Sequence, residues 1–230
     1  MSSFVLIPGA GGDAWYWHRL VPELEARGHT AIPVQLPAAD DSAGLRRYAE
    51  TVVDAVRARD VDPGELVLGG QSMCALSAAL VAEHLPVRHL ALVNGMIPRP
   101  GESGGEWWTS TGQREAMLRH ARHIGLDEAA LDDPVVLYAH DVPPAVFATG
   151  RPPDQSSTPF AEPWPLVAWP SVPTTVIASR EDRLFPLEFQ RRVARERLGI
   201  EPVTVEGGHM VALSRPVELA ERLVACLADA

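Results

Sequence analysis

Short apolar runs rich in β-formers alternate along this chain with amphipathic stretches, and that alternation limits the folds open to it more than any other feature. Phe4-Val5-Leu6-Ile7 is apolar at every position and stops at Pro8-Gly9, as a strand buried on both faces of a parallel sheet should. Residues 15–27 then place Trp17, Leu20, Val21 and Leu24 at helical spacing, with Gly28 where a C-cap glycine belongs. Residues 30–34 read as a second strand. Residues 45–58 read as a helix on Leu45, Tyr48, Val52, Val53 and Val56, and Asp62-Pro63-Gly64 turns the chain into a third strand at 66–68. A small-residue helix at 73–85 and a strand at 89–94 follow. Strands separated by helices predict an α/β fold, a mostly parallel sheet covered by helices and linked by right-handed crossovers.

The pattern changes from 97 to 170, where prolines, glycines and tryptophans crowd and strand signals vanish. Helices are predicted at 113–124 and 133–140, with irregular stretches around Pro143-Pro144 and Pro152-Pro153. Strands at 174–178 and 202–205 and helices at 186–198 and 216–227 then restore the alternation. The expected organisation is one discontinuous core domain, 1–96 and 171–230, with a sheet of about six strands and a lid insertion at 97–170. At 230 residues and 46% hydrophobic composition, the chain is long enough to bury one substantial core.

Charge and residue usage exclude several function classes. A formal net charge of -10 repels nucleic acid and anionic membranes, which leaves a small molecule as the expected partner and the choice of monomer or homodimer open. All 20 residues in the Lys+Arg count are arginine, so lysine Schiff-base chemistry is excluded. Two cysteines, Cys74 and Cys226, make no disulfide framework, and a reducing cytoplasm is the expected location. The first dozen residues lack the layout of a cleaved signal, and no apolar run approaches the ~20 residues of a membrane span. No His, Cys or acidic residues fall at metal-ligand spacing, so no metal and no cofactor is expected.

The chemistry centres on Leu66-Val67-Leu68-Gly69-Gly70-Gln71-Ser72-Met73-Cys74-Ala75, a strand, a sharp turn and a helix start with serine at the apex. Such a turn holds a hydroxyl clear of the sheet and needs small neighbours, because strand and helix backbones nearly touch there. A hydroxyl is a weak nucleophile and requires a base, and the base requires an acid to fix its tautomer. His209 and Asp182 supply these groups, each just past a predicted strand, where an open parallel sheet places its ligand crevice. Glu181 is the competitor for the acid role. Glycines in Pro8-Gly9-Ala10-Gly11-Gly12 leave the amide of Ala10 free to join that of Met73 as an oxyanion hole.

These segments, with Phe185-Pro186 after Asp182 and Gly207 to Met210, resemble the α/β-hydrolase superfamily, above all its small plant methylesterase and hydroxynitrile lyase group with bacterial relatives. The resemblance implies the α/β-hydrolase fold, Ser72 as nucleophile, Asp182 as acid, His209 as base, and Ala10 and Met73 as oxyanion donors. Hydroxynitrile lyases of that group carry a lysine after the histidine and a threonine in the first loop. Met210 and Gly9 stand here, which favours an esterase. The familiar G-x-S-x-G departs at its last position, where Cys74 replaces glycine.

A serine between glycines is by itself commonly only a turn, and the remaining histidines read as surface or ordinary hydrogen-bonding residues. Aromatic residues of the 97–170 segment must partly serve its own packing. The others, Trp107, Trp108 and Phe147 among them, are candidates with Gly9 and Met210 for an apolar substrate pocket. The expected activity is hydrolysis of a small-to-medium apolar carboxylic ester, lactone or thioester through an acyl-enzyme on Ser72. A lyase or cyclase using the same three residues for proton transfer, or a binding protein on a hydrolase scaffold, are the alternatives.

Overall fold

The computed structural model describes residues 1–59, 61–151 and 154–228. Chain order gives β1 (Ser3–Ile7), α1 (Val21–Glu25), β2 (Thr30–Pro33), α2 (Leu45–Arg57), β3 (Leu66–Gln71), α3 (Ala75–Val81) and β4 (Val87–Val93). Between β4 and the next strand lie α4 (Gly104–Ser110), α5 (Gln113–His123), α6 (Pro134–Tyr138), α7 (Pro144–Phe147) and α8 (Thr158–Ala161). The chain closes with β5 (Thr174–Ser179), α9 (Leu187–Leu198), β6 (Val203–Val205), α10 (Val211–Ser214) and α11 (Pro216–Ala225). The six strands form one sheet in the order β2-β1-β3-β4-β5-β6, with every neighbouring pair parallel, as the alternation predicts.

Alternate residues of the central strands face opposite layers, because side chains of a strand alternate sides. Val5, Ile7, Leu66 and Leu68 join α2, α3 and α9 in one apolar cluster, while Phe4, Leu6 and Val67 join α1 and α11 in another. The sheet is therefore buried on both faces, and its polar chemistry is confined to the strand ends.

Local departures from expectation have local causes. The helix predicted over 15–27 is split into a 3-10 turn, Ala14–Trp17, and the short α1. Pro22 lies in the first turn of α1, where its missing N–H is harmless, but inside a longer helix it would break the hydrogen-bond ladder. Pro143-Pro144, read as irregular, instead caps and opens α7 by the same rule. Ser103 and Glu106 start α4 with a reciprocal capping box that the sequence reading passed over. The Pro152-Pro153 stretch lies outside the described residues. Among the described residues no helix is long and apolar enough to cross a membrane.

Candidate active site

Strand β3 delivers Ser72 to the carboxyl edge of the sheet. Ser72 adopts φ 51°, a left-handed conformation costly for a side-chain-bearing residue, and the 3-10 turn Ser72–Cys74 leads directly into α3. The turn closes only because Gly70 is bare: a Cβ there would lie 2.9 Å from Cβ of Ala78 and 3.2 Å from Cα of Ala75. Cys74, at the position that departs from the familiar motif, is fully buried, with its Sγ 4.0 Å from the carbonyl of Gly9. Burial pushes its thiol far above the ordinary cysteine range, so it is held as an uncharged packing group.

Asp182 and His209 arrive from the loops after β5 and β6. His209 Nδ1 lies 2.8 Å from Asp182 Oδ2, and its Nε2 lies 3.1 Å from Ser72 Oγ. Asp182 Oδ1 accepts the backbone N–H groups of Leu184, at 2.9 Å, and Phe185, at 2.8 Å. A carboxylate so engaged, with its side chain fully buried, has one oxygen left to receive the imidazole N–H. Nδ1–H therefore points to Asp182, and the Nε2 lone pair faces the serine hydroxyl. The rings of Phe185 and His209 pack perpendicular to one another at 5.2 Å between centroids, which restricts the imidazole. The structure brings Asp182, and not Glu181, to the histidine; Glu181 is exposed and its N–H donates to Gly207 O.

The loop after β1 lies alongside. Gly12 N–H donates to Gly9 O at 3.0 Å, and Gly11 N–H donates to Gln155 Oε1 at 2.8 Å, so both are spent. The amide of Ala10, at an exposed position, precedes these two, while Met73 follows Ser72 in the turn.

The five expected pocket residues fall in different places. Gly9 is buried against Ser72, and a Cβ on it would meet Gln71 Oε1 at 2.0 Å and Ser72 Cβ at 3.1 Å. Met210 and Phe147 are half-buried in one apolar cluster, and half-buried Trp108 packs on Phe185, one ring removed from His209. Trp107 is a correction: its indole is completely buried, donates to Ile97 O at 3.0 Å and packs on Phe185 and Phe189. It forms core between α4 and α9 because the amphipathic α4 turns that face inward. A groove of about 410 Å³ beside the first loop is lined by Gly11, Asp13, Leu36, Ala38, Asp40 and Arg151 among others, and by none of the five.

Sequence reasoning missed two polar residues at the site. Asn94, fully buried at the end of β4, donates through Nδ2 to Ser179 Oγ at 2.9 Å and to His209 O at 3.2 Å, and its Oδ1 accepts Ser179 N–H at 2.8 Å. Its signal was an Asn-Gly pair at the carboxyl end of a strand beside the serine strand. Gln71, buried beside Ser72, directs its amide nitrogen to His209 Nε2 at 3.3 Å and to His209 O at 3.4 Å. Among the described residues no three His, Cys, Asp or Glu side chains converge to hold a metal ion.

Comparisons with known proteins agree with this architecture. Residues 4–222 match the Alpha/beta hydrolase family. A probable esterase, PIR7A of Oryza sativa subsp. indica, is 40% identical over 98 residues, 39% of this chain and 36% of that protein, so the matched stretch spans little more than a third of that relative. Norfluorocurarine synthase 1 of a Strychnos species is 24% identical over 265 residues, covering 96% of this chain and 93% of the relative. The crystal structure of a pyrethroid hydrolase from Sphingobium faniae JZ-2 superposes with a TM-score of 0.74 at 23% identity, covering 100% of this chain and 98% of that one, a likeness of fold. With the family matched over residues 4–222 and a six-stranded parallel sheet flanked by helices in place, this chain belongs to the alpha/beta hydrolase family.

Proposed function

We propose that the protein hydrolyses a small-to-medium apolar carboxylic ester by way of an acyl-enzyme on Ser72. The observation that carries the reading is the unbroken contact from Ser72 Oγ to His209 Nε2, at 3.1 Å, and from His209 Nδ1 to Asp182 Oδ2, at 2.8 Å. Esterase and hydrolase names among the relatives support ester chemistry in general.

In the proposed reaction Nε2 of His209 takes the Ser72 proton as Oγ bonds to the ester carbon, and Asp182 stabilises the imidazolium that results. The carbonyl oxygen becomes an oxyanion facing the amides of Ala10 and Met73, where loss of one donor costs about 3 kcal/mol of transition-state stabilisation. The tetrahedral adduct collapses, the bond to the leaving oxygen breaks, and His209 returns its proton to that oxygen. A water molecule then attacks the acyl carbon as His209 accepts its proton, the bond from that carbon to Oγ breaks, His209 returns the proton to Oγ, and the acid departs with Ser72 restored. Residues 97–170 act as a lid over the strand ends in this reading, and Trp108, Phe147 and Met210 form apolar walls near the acyl group.

Turnover of short p-nitrophenyl esters by the wild type and by Ser72→Ala tests the proposal. Hydrolysis by the wild type that disappears in the variant is expected. Equal turnover in both removes Ser72 from the chemistry.

A further inference from the structure

Two consecutive residues outside the proposed chemistry grip the two loops that carry its acid and base. His140 and Asp141 follow α6, in the segment between β4 and β5. Nε2 of His140 lies 2.9 Å from the carbonyl oxygen of Glu181, the residue before Asp182. A carbonyl only accepts, so Nε2 carries the proton and donates. Oδ2 of Asp141 accepts the N–H of Gly208, the residue before His209, at 2.8 Å.

Those two loops are also bonded directly to each other, because Glu181 N–H donates to Gly207 O at 2.9 Å. The ring of contacts is therefore closed. Glu181 and the peptide joining Gly207 to Gly208 are each held on one side by the opposite loop and on the other by the His140-Asp141 pair. Space is fitted to this arrangement. A Cβ on Gly208 would lie 2.8 Å from both Asp141 Oδ1 and His140 Nε2, and one on Gly207, at φ 98°, would lie 2.8 Å from Asp141 Oδ2. Two glycines before His209 thus admit the pair. Neighbouring contacts reinforce the same docking: Arg183 donates to Val136 O at 2.9 Å, and the ring of Tyr138 lies 5.8 Å from that of His209.

We propose that His140 and Asp141 are positioning residues that set the separation of Asp182 and His209, so that the segment between β4 and β5 completes the site and does not merely cover it. The inference rests on the serine-hydrolase reading above. Its physical basis is that displacement of a reacting group by about 1 Å costs about a hundredfold in rate, while a peptide N–H left without its acceptor is free to shift.

Asp141→Ala and Asp141→Asn, with Ser72→Ala as reference, separate the possibilities. Asparagine keeps an acceptor oxygen for Gly208 N–H, and Asp141 Oδ1 takes no hydrogen bond among the described residues, so an amide nitrogen there displaces no donor. The expected result on p-nitrophenyl esters is a kcat about tenfold to a hundredfold lower in Asp141→Ala, with KM little changed and a thermal midpoint lowered by a few degrees for the stranded Gly208 N–H, and recovery of most of the loss in Asp141→Asn. A wild-type kcat in Asp141→Ala, an asparagine variant as slow as the alanine variant, or a change confined to KM overturns the inference. Should Asp141→Ala not fold, His140→Ala decides by the same criteria, a lowered kcat at constant KM supporting the pair and an unaltered kcat rejecting it. Activity surviving in Ser72→Ala would instead remove the reading beneath it.

Discussion

Ser72 and Asn94 are the two side-chain-bearing residues at positive φ among the described residues, and they stand just beyond the ends of the adjacent strands β3 and β4. Met96 N–H donates to Ser72 O at 2.9 Å, so the two turns are joined. Asparagine tolerates this conformation because its short polar side chain bonds locally, and here the amide also reaches the His209 loop. Asn94→Ala keeps the strain and loses the three hydrogen bonds described above. The expected cost is about 2 to 3 kcal/mol of stability in urea unfolding, with a reduced kcat. Unchanged stability would show that the network contributes nothing to the fold.

Gly70→Ala should be among the most damaging single-methyl changes in the chain. The added carbon would meet Ala78 Cβ at 2.9 Å and Ala75 Cα at 3.2 Å, both on the helix that follows Ser72. Strand and helix must separate, at about 1 to 3 kcal/mol for overpacking, and Ser72 moves with them. Ester turnover and denaturant midpoint should fall together. A stable variant with full activity would contradict the close approach.

Cys74 should behave as a packing group. Fully buried, with its thiol pushed up by that burial, it offers no thiolate. Iodoacetamide is expected to leave Cys74 unmodified in the folded enzyme and to alkylate it in urea, as read by peptide mass. Inactivation of the folded enzyme with the label on Cys74 would refute this.

Glu102 ties the segment after β4 to α9 and gives the fold an acid-sensitive joint. It pairs with Arg197, their side chains being 10% and 2% exposed, and Arg197 also donates to Ile97 O at 2.7 Å. Burial pushes the Glu102 carboxyl up, but hydrogen bonds from Arg197, Ser110 and Arg99 N–H outweigh it and hold the group below its ordinary value. A carboxyl lowered on folding stabilises the protein above its unfolded pKa, about 4.3, and loses that contribution as pH falls through the folded value. Glu102→Gln leaves Arg197 uncompensated and should cost about 3 kcal/mol at pH 7. Its stability should also decline less steeply than the wild type's below about pH 4.3. Parallel pH curves would show that Glu102 does not carry this dependence.

Much of the sheet was legible because its strands are short runs rich in apolar β-formers, some stopped at proline or asparagine, as in Phe4 to Ile7 before Pro8 and in β4 before Asn94. The approach of Ser72, Asp182 and His209 followed from the same rule, since parallel strands present their carboxyl ends on one edge. Less was legible between β4 and β5, where helices such as α7 and α8 span four residues each, too few for a 3.6-residue period to emerge. Trp107 and Trp108 both pack on Phe185 yet differ in burial, because neighbouring residues of a helix point about 100° apart, and adjacency in sequence gives no hint of which turns inward. Asn94, His140 and Asp141 act on backbone atoms of distant loops. No periodicity or motif records such contacts, which arise only when the sheet brings the loops together.

The proposed acyl-enzyme is tested most directly by quenching the enzyme in acid during turnover of a p-nitrophenyl ester and measuring the mass of the peptide that contains Ser72. The account predicts that this peptide gains the mass of the acyl group on Ser72, and that His209→Ala, lacking the base, accumulates none. Active enzyme whose Ser72 peptide stays unmodified at every time point, or whose acyl group sits on another residue, would contradict it.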